Sequence, residues 1–120
     1  PNLARAAAHF AEADALLGEL AAIDAAACGA PVLCRADLLA LTPARQANLL
    51  RHWLATAHAE TPSSAQLAAL LAQVAAARTR GHHIRLKVGS GLVLRHGDAL
   101  HWVVAPQAPE ATPEAPGGQR

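Results

Sequence analysis

The spacing of apolar residues predicts one long helix at the start of the chain, running to about Ala27. At 1.5 Å per residue it would be about 37 Å long, and Gly29 and Pro31 end it. Asp24 falls on the apolar side, where a charge needs a partner, so we expect an arginine of the next helix to pair with it. Two sets of residues define the opposite sides: Leu3, Phe10, Leu17 and Leu20, against Arg5, Glu12 and Glu19.

A second helix is predicted in "LTPARQANLLRHWL", where Thr42 is suited to cap the helix and Pro43 to occupy its first turn. The preceding segment "VLCRADLLA" is a connector, either a strand or a short helix. The helical wheel separates the second helix into an inward side with Ala47, Leu50 and Leu54, an outward side with Arg45, Asn48 and His52, and two flanks with Arg51 and Trp53.

The two arginines of this helix lead to different expectations. Arg45 on the solvent side is expected to be free to meet a ligand. Arg51 at the boundary is expected to have a structural role, paired with Asp24 or Asp37, although a ligand role stays open for it. Trp53 on the other flank is expected to be structural.

A third helix is predicted in "ETPSSAQLAALLAQVAAARTRG", capped by Ser63 or Ser64 and ended by Gly81. Arg78 and Arg80 lie in its last turn. Cations there offset the helix dipole by about 0.3 to 1 kcal/mol, which is sufficient by itself to explain them. The apolar stripe of this helix consists of Leu67, Leu70, Leu71 and Val74.

After Gly81 the apolar period changes to two, which predicts strands in "HIRLKV", "LVLR" and "ALHWVV" with turns at "GSG" and "HGD". The inward side would carry Leu92, Leu94, Leu100 and Trp102, and the outward side Arg85, Lys87, Arg95 and His101. Such a basic face has a plain alternative explanation, because any solvated sheet face is polar and edge cations discourage aggregation.

These elements predict an α+β fold in which three N-terminal helices pack on a small antiparallel β-hairpin or three-stranded sheet. Residues 1–105 would form one domain. Residues 106–120 hold four of the eight prolines and no large apolar residue, so they are expected to be a flexible linker. The chain has no Met and begins inside a helical pattern, which suggests a piece of a longer protein.

Charge is unevenly distributed along the chain. The net charge is −2 for residues 1–60, +4 for residues 61–105 and −1 for residues 106–120. An anionic partner would therefore bind the C-terminal part of the domain. With no Tyr, one Phe and two Trp, the sequence lacks the stacking platforms of proteins that read single-stranded RNA base by base.

Signals for catalysis, metal binding and membrane insertion are weak or missing. "GSG" is too short for a phosphate-binding loop, and Cys28 and Cys34 lack the second pair of a zinc site. His83, His96 and His101 are the alternative metal set, but only Asp98 could orient them. We therefore expect no metal and no catalytic residue in this chain. Two free cysteines and no long apolar stretch are typical of a cytoplasmic protein.

Several segments taken together resemble the substrate-binding domain of bacterial tRNA(Ile)-lysidine synthetase. They are "LTPARQANLLRHWL", "TPSSAQL" and "IRLKVGSGLVLRHGDALHW", and the resemblance covers roughly Leu3 to Val103. No single residue is distinctive of this family, but the order and spacing of these segments together are. The elements that carry the resemblance are Arg45, Arg51, Trp53, Leu54, Pro62, Ser63, Gly89, Arg95 and Leu100.

The resemblance implies a role in an ATP-dependent ligase. Enzymes of this family adenylate the wobble cytidine of tRNA(Ile) with a CAU anticodon and join lysine to it, which changes decoding from AUG to AUA. ATP, with Mg²⁺, and lysine belong to an N-terminal domain with an "SGGxDS"-type loop, which this sequence lacks. The chain itself would position tRNA without a cofactor of its own.

The tRNA-binding candidates follow from charge and facing, because positioning a tRNA requires phosphate contacts more than base contacts. They are Arg45, Arg78, Arg80, Arg85, Lys87 and Arg95, with Asp24, Arg51 and Trp53 as structural candidates. The alternative function is a protein interaction or spacer module without nucleic-acid contact, and a homodimer through the first helix is one form of it. Alanine-rich helices favour that alternative because they approach each other closely.

Overall fold

A computed structural model describes residues 2–77 and 83–104. The chain forms α1 (Asn2–Ala27), β1 (Leu33–Cys34), α2 (Arg35–Leu39), α3 (Pro43–His58), α4 (Ser64–Ala76), β2 (Arg85–Val88), β3 (Gly91–His96) and β4 (Ala99–Val104). The four strands form one antiparallel sheet in the order β1-β4-β3-β2. The α+β class is confirmed. The connector that the sequence left open contains both a strand and a short helix, so there are four strands and four helices in the described residues.

The core lies between the helices and one face of the sheet. Val88, Val93 and Leu100 of the sheet are fully buried against leucines of α2, α3 and α4. Burial of one sheet face is what the period of two in the C-terminal sequence requires. The leucines and valine that the helices contribute to this core are Leu38, Leu49, Leu50, Leu54, Leu67, Leu70 and Val74.

Side-chain caps fix the start of both middle helices. The Thr42 side chain accepts a hydrogen bond from the Arg45 backbone N–H at 3.3 Å. Ser63 forms a capping box with Gln66, in which each side chain accepts a hydrogen bond from the other residue's backbone N–H. The sequence left Ser63 and Ser64 as alternatives, and the cap is Ser63. α4 ends at Ala76, earlier than the predicted end at Gly81.

α1 and α3 pack side by side in opposite directions, joined by an ion pair. Arg45 donates two hydrogen bonds to Asp24, with Nε 3.1 Å from Oδ2 and Nη2 2.5 Å from Oδ1. Asp24 is 1% exposed, and the hydrogen bond to it raises the pKa of Arg45. Further along, Asn48 Nδ2 donates to the Leu17 carbonyl at 2.9 Å. The expected arginine partner of Asp24 therefore exists.

The assignment of the two arginines is nevertheless wrong. Arg45 was expected to be free and Arg51 to be paired, whereas Arg45 holds Asp24 and Arg51 is exposed without a side-chain partner among the described residues. Asn48, expected outward, is 5% exposed. The reason is that α3 has neighbours on two sides, since α1 covers the side that a two-layer arrangement would leave in solvent.

The two tryptophans surround the end of α3. Trp53 is 3% exposed, and its Nε1 donates to the Pro31 carbonyl at 2.8 Å. The His58 ring meets Trp53 edge-on at 5.0 Å and stacks on Trp102 at 5.1 Å. His58 Nε2 is buried and has no hydrogen-bond partner among the described residues. Burial lowers the pKa of His58, against a smaller raising effect from the Glu60 carboxylate.

The N-terminal part of α1 extends beyond the end of α3. Leu3, Phe10 and Leu17 lie on the side of α1 that packs on α3 further along, yet they are 88%, 75% and 43% exposed. This stripe has no cover among the described residues. None of the helices in the described ranges combines the length and hydropathy that crossing a lipid bilayer requires. The boundary predicted at residue 105 and the linker at 106–120 lie outside the described residues.

The Asp24–Arg45 pair predicts unequal effects for two arginine substitutions on the same helix. Arg45→Ala should clearly lower the free energy of unfolding, because it leaves the buried Asp24 carboxylate without its partner. Arg51→Ala, the matched control, should change the free energy of unfolding by less than about 0.5 kcal/mol. Urea unfolding of both variants measures the difference. Equal losses would contradict a structural role for the pair.

The lowered pKa of His58 predicts that stability falls in mild acid. Below the ordinary value of 6.5 the unfolded chain takes up a proton at His58, while the folded chain does so only at lower pH. The free energy of unfolding should therefore decrease as the pH falls below that value. His58→Phe keeps a ring between the indoles but does not titrate, so the decrease between about pH 7.5 and 5.5 should be smaller.

His9→Gln is the control for this pH effect, because His9 lies on the exposed part of α1. It should leave the pH dependence of urea unfolding as it is in the unaltered chain. The same slope in the His58→Phe variant and the unaltered chain would contradict the role of His58.

Candidate nucleic-acid interface

The face of the sheet that points away from the helices carries two exposed cations. Arg85 pairs across the strands with Leu94, which pairs with His101, and Lys87 pairs with Leu92, which pairs with Val103. Residues that pair directly in an antiparallel sheet share a face. We call this surface the outer face; it consists of Arg85, Lys87, Leu92, Leu94, His96, Ala99, His101, Val103 and Cys34.

The register corrects the predicted facing of β3. Leu92 and Leu94, expected to point to the helices, lie on the outer face, and Val93 is the fully buried residue of this strand. Leu100 and Trp102 face the helices as expected. Gly91 belongs to β3 opposite Val88, and the turn contains only Gly89 and Ser90, which the "GSG" pattern alone does not reveal.

Arg95 is also on the other side from the one expected. It pairs with Leu100 on the face that the helices cover, and its Nε donates to the Gly97 carbonyl at 2.7 Å. It is partly buried there. Arg95 therefore helps to hold the β3–β4 turn and is not part of the outer face.

Arg85 and Lys87 are the cations that the outer face presents. Both are exposed, and neither side chain has a hydrogen-bond or ion-pair partner among the described residues. Being two positions apart on one strand, their Cα atoms are separated by about 6.7 Å. None of the described strand residues on this face is acidic. The pair can therefore bind an anion without first breaking another contact.

Two histidines extend the same surface. The rings of His96 and His101 lie 6.2 Å apart, centre to centre, in an edge-to-face arrangement, on neighbouring strands of the outer face. His83, the third histidine considered from the sequence, is exposed just before β2. Neither histidine adds an acidic group to the face that Arg85 and Lys87 make basic.

The remaining predicted candidates do not join this surface. Arg45 is engaged with Asp24 between α1 and α3, and Arg51 is exposed on α3. Arg78 and Arg80 lie outside the described residues. Whether any of the predicted cations contacts tRNA stays a prediction.

The strand that carries the two cations is tied to the helices at several points. Gln73 Oε1 accepts a hydrogen bond from the Arg85 backbone N–H at 3.0 Å, and Gln66 Nε2 donates to the Lys87 carbonyl at 3.1 Å. The Trp102 Nε1 donates to the Val88 carbonyl at 3.2 Å. These bonds fix β2 against both α4 and β4.

The β2–β3 turn is held by a carboxylate from the segment after α3. Glu60 accepts a hydrogen bond from Ser90 Oγ at 3.0 Å and lies over Gly89. Gly89 has φ of +60°, and a Cβ there would overlap the Glu60 carboxylate, so both backbone and space require glycine. The turn is therefore locked to the helical layer at the end of β2.

A shallow cavity of about 180 Å³ lies between α1 and α3. The two polar residues that line it are already hydrogen-bonded within α3. The Thr56 hydroxyl donates to the His52 carbonyl, and His52 Nδ1 lies 2.9 Å from the Asn48 carbonyl. The residues that line it are mostly small and apolar, which does not suit a phosphate. They are Gly18, Ala21, Ala22, Ala25, Ala30, Leu49, His52, Trp53 and Thr56.

Sequence reasoning missed the polar residues that support the outer face. Gln66 and Gln73 act through backbone contacts, and Glu60 through the Ser90 hydroxyl. Arg35 Nε likewise donates to the Val74 carbonyl near the end of α4 at 2.9 Å. One signal was readable, since Gln66 stands three residues after Ser63 in a capping-box pattern and Gln73 follows seven residues later. The groups that they bind could not be read from the pattern.

Comparison with known proteins shows the family of this chain. Residues 33–101 match the family model described as the TilS substrate binding domain. The chain is 58% identical over 99 residues to a tRNA(Ile)-lysidine synthase of Polaromonas naphthalenivorans, covering 82% of this chain and 30% of that protein. The corresponding protein of Aromatoleum aromaticum is 40% identical over 116 residues, covering 97% of this chain and 26% of the relative.

A relative from Escherichia coli O157:H7, also named tRNA(Ile)-lysidine synthase, is 37% identical over 102 residues, with coverage of 83% and 23%. The chain thus spans less than a third of the length of these relatives. The match of the family model covers more than half of the chain and includes α2, α3, α4 and most of the sheet. The chain belongs to the family of TilS substrate-binding domains.

Proposed function

We propose that this chain is the tRNA-positioning domain of a tRNA(Ile)-lysidine synthase. The observation that carries the proposal is the outer face, on which Arg85 and Lys87 are exposed and unpaired among the described residues. The names of the relatives supply the substrate class, tRNA. The chemistry of the face supplies the mode of contact, since guanidinium and ammonium groups bind phosphate oxygens.

The composition of the outer face favours backbone contact over base recognition. Its strand residues include no Phe, Tyr or Trp, so it offers no stacking platform for unpaired bases. Between the cations and the histidines, Leu94 is partly exposed and Leu92 is buried. The domain would hold a tRNA through its phosphates and leave the choice of base to other parts of the enzyme.

The reaction itself would be carried out elsewhere in the longer enzyme. By the resemblance, that enzyme uses ATP to activate the wobble cytidine of tRNA(Ile) with a CAU anticodon and joins lysine to it. The binding of ATP, Mg²⁺ and lysine is assigned to the catalytic domain, and no residue of this chain is proposed to act in the chemical step. This domain would contribute affinity for the tRNA and fix its orientation. The tRNA would then react from a bound, fixed position instead of through a random encounter.

Substitution of the two outer-face cations should weaken tRNA binding through its salt-dependent part. The double variant Arg85→Ala, Lys87→Ala removes two phosphate contacts, so the slope of log affinity against log salt should decrease in magnitude by about 2. Titration of the chain with tRNA at several salt concentrations measures both affinity and slope.

The control for this titration is Arg51→Ala, which removes an exposed cation from α3 and should leave both quantities as they are. A tRNA of another sequence should lose affinity to the same extent in the double variant, because phosphates carry no base identity. Unchanged tRNA affinity in the double variant at low salt would overturn the proposed function.

The uncovered stripe of α1 favours a second candidate function, self-association. Its members Leu3, Phe10 and Leu17 are 88%, 75% and 43% exposed, which is unusual for large apolar side chains that recur on one side of a helix. A second copy of α1 in the opposite direction would cover the stripe.

Substitution at the centre of the stripe tests self-association. The unaltered chain should increase in mass with concentration from 12.3 kDa towards twice that value, and Phe10→Glu should remain at 12.3 kDa. Ala8→Glu adds the same charge on the opposite side of α1 and should still associate. Light scattering measures the mass. A constant mass of 12.3 kDa for the unaltered chain at all concentrations would exclude a homodimer.

A further inference from the structure

The strand that carries the outer-face cations is fixed to α4 by two glutamine side chains. Gln73 accepts from the N–H of Arg85, and Gln66 donates to the carbonyl of Lys87. The two glutamines are seven residues apart, so they project from the same side of α4. Each of them thus contacts the backbone of one of the two residues whose side chains point into solvent from the outer face.

The register explains why these two backbone positions require partners. β2 is an edge of the sheet, and the Arg95 N–H donates to the Ile84 carbonyl at 3.3 Å. In an antiparallel pair, backbone bonding to the neighbour alternates along the strand, so Arg85 and Lys87 direct their own N–H and C=O groups away from β3. An open edge of this kind frays or pairs with a strand of another molecule. Gln73 accepts from one outward N–H of this edge, that of Arg85, and Gln66 donates to one outward carbonyl, that of Lys87.

We propose that Gln66 and Gln73 are positioning residues for the phosphate-binding cations, an inference that rests on the proposed function. They hold the backbone at Arg85 and Lys87 at a fixed distance from α4, so both side chains leave the outer face from constant positions. The glutamines do not touch the tRNA. Without them the edge samples more conformations, and ordering it on binding costs affinity.

The two glutamines differ in how cleanly they can be tested. Gln66 Oε1 also accepts from the Ser63 N–H at 2.9 Å, so its loss disturbs the start of α4 as well as β2. Gln73 makes one side-chain hydrogen bond in the described residues, to Arg85. Gln73→Met keeps the length of the side chain and its helix propensity but removes the acceptor. It is therefore the informative variant.

The experiment is a double-mutant cycle on the 120-residue chain, with tRNA affinity and amide hydrogen exchange as readouts. Gln73→Met should lower tRNA affinity about three- to tenfold and speed exchange of the Arg85 amide. In the background of Arg85→Ala with Lys87→Ala, Gln73→Met should have no further effect on affinity. A purely structural role for Gln73 would give the same loss in both backgrounds.

A matched control is Gln46→Met on α3, which also removes one side-chain bond to the backbone, in this case donation to the Leu41 carbonyl at 2.8 Å. It should lower stability comparably and leave tRNA affinity unchanged. If the cation variant binds tRNA weakly while Gln73→Met binds normally, the positioning role is overturned and the proposed function stands. If the cation variant binds normally, the proposed function fails, and unchanged exchange at Arg85 in Gln73→Met would overturn the positioning role as well.

Discussion

A sheet of this size can bury only one face against a single helical layer, and the rest of the structure depends on which face that is. Val88, Val93 and Leu100 are fully buried against α2, α3 and α4, so the alternate residues of the strands lie on the other face of the sheet. That alternation leaves Arg85 and Lys87 exposed together. The basic surface is thus a direct consequence of how the core is closed, and the apolar residues, rather than the cations, determine its position.

Much of the fold could be predicted because it depends on local patterns. Helix starts at Thr42 and Ser63, the three long strands and the change of period after Gly81 all follow from sequence spacing. β1 could not be found in this way, since two residues have no periodicity and its pairing with β4 is a long-range contact. The packing of α3 on α1 could not be predicted either. It buries Asn48 and pairs Arg45 with Asp24, although a helical wheel assigns both residues to the solvent side.

The candidate site was predicted in part for the same reasons. The alternation in "HIRLKV" places Arg85 and Lys87 correctly, because apolar and charged residues there keep strict order. β3 has three consecutive apolar residues, so its facing was ambiguous, and a one-residue error moved Arg95 to the wrong face. Gln66 and Gln73 bind backbone atoms, and no side-chain pattern in the sequence records which backbone atoms lie opposite a helix.

The position of the two indoles has a practical consequence. Trp53 belongs to α3 and Trp102 to β4, and both rings contact His58, so they stand on the two sides of the junction between helices and sheet. The sequence contains no Tyr, and therefore emission excited at wavelengths that Phe does not absorb arises from these two side chains alone. Intrinsic fluorescence therefore reports, without a label, whether the sheet is packed against the helices.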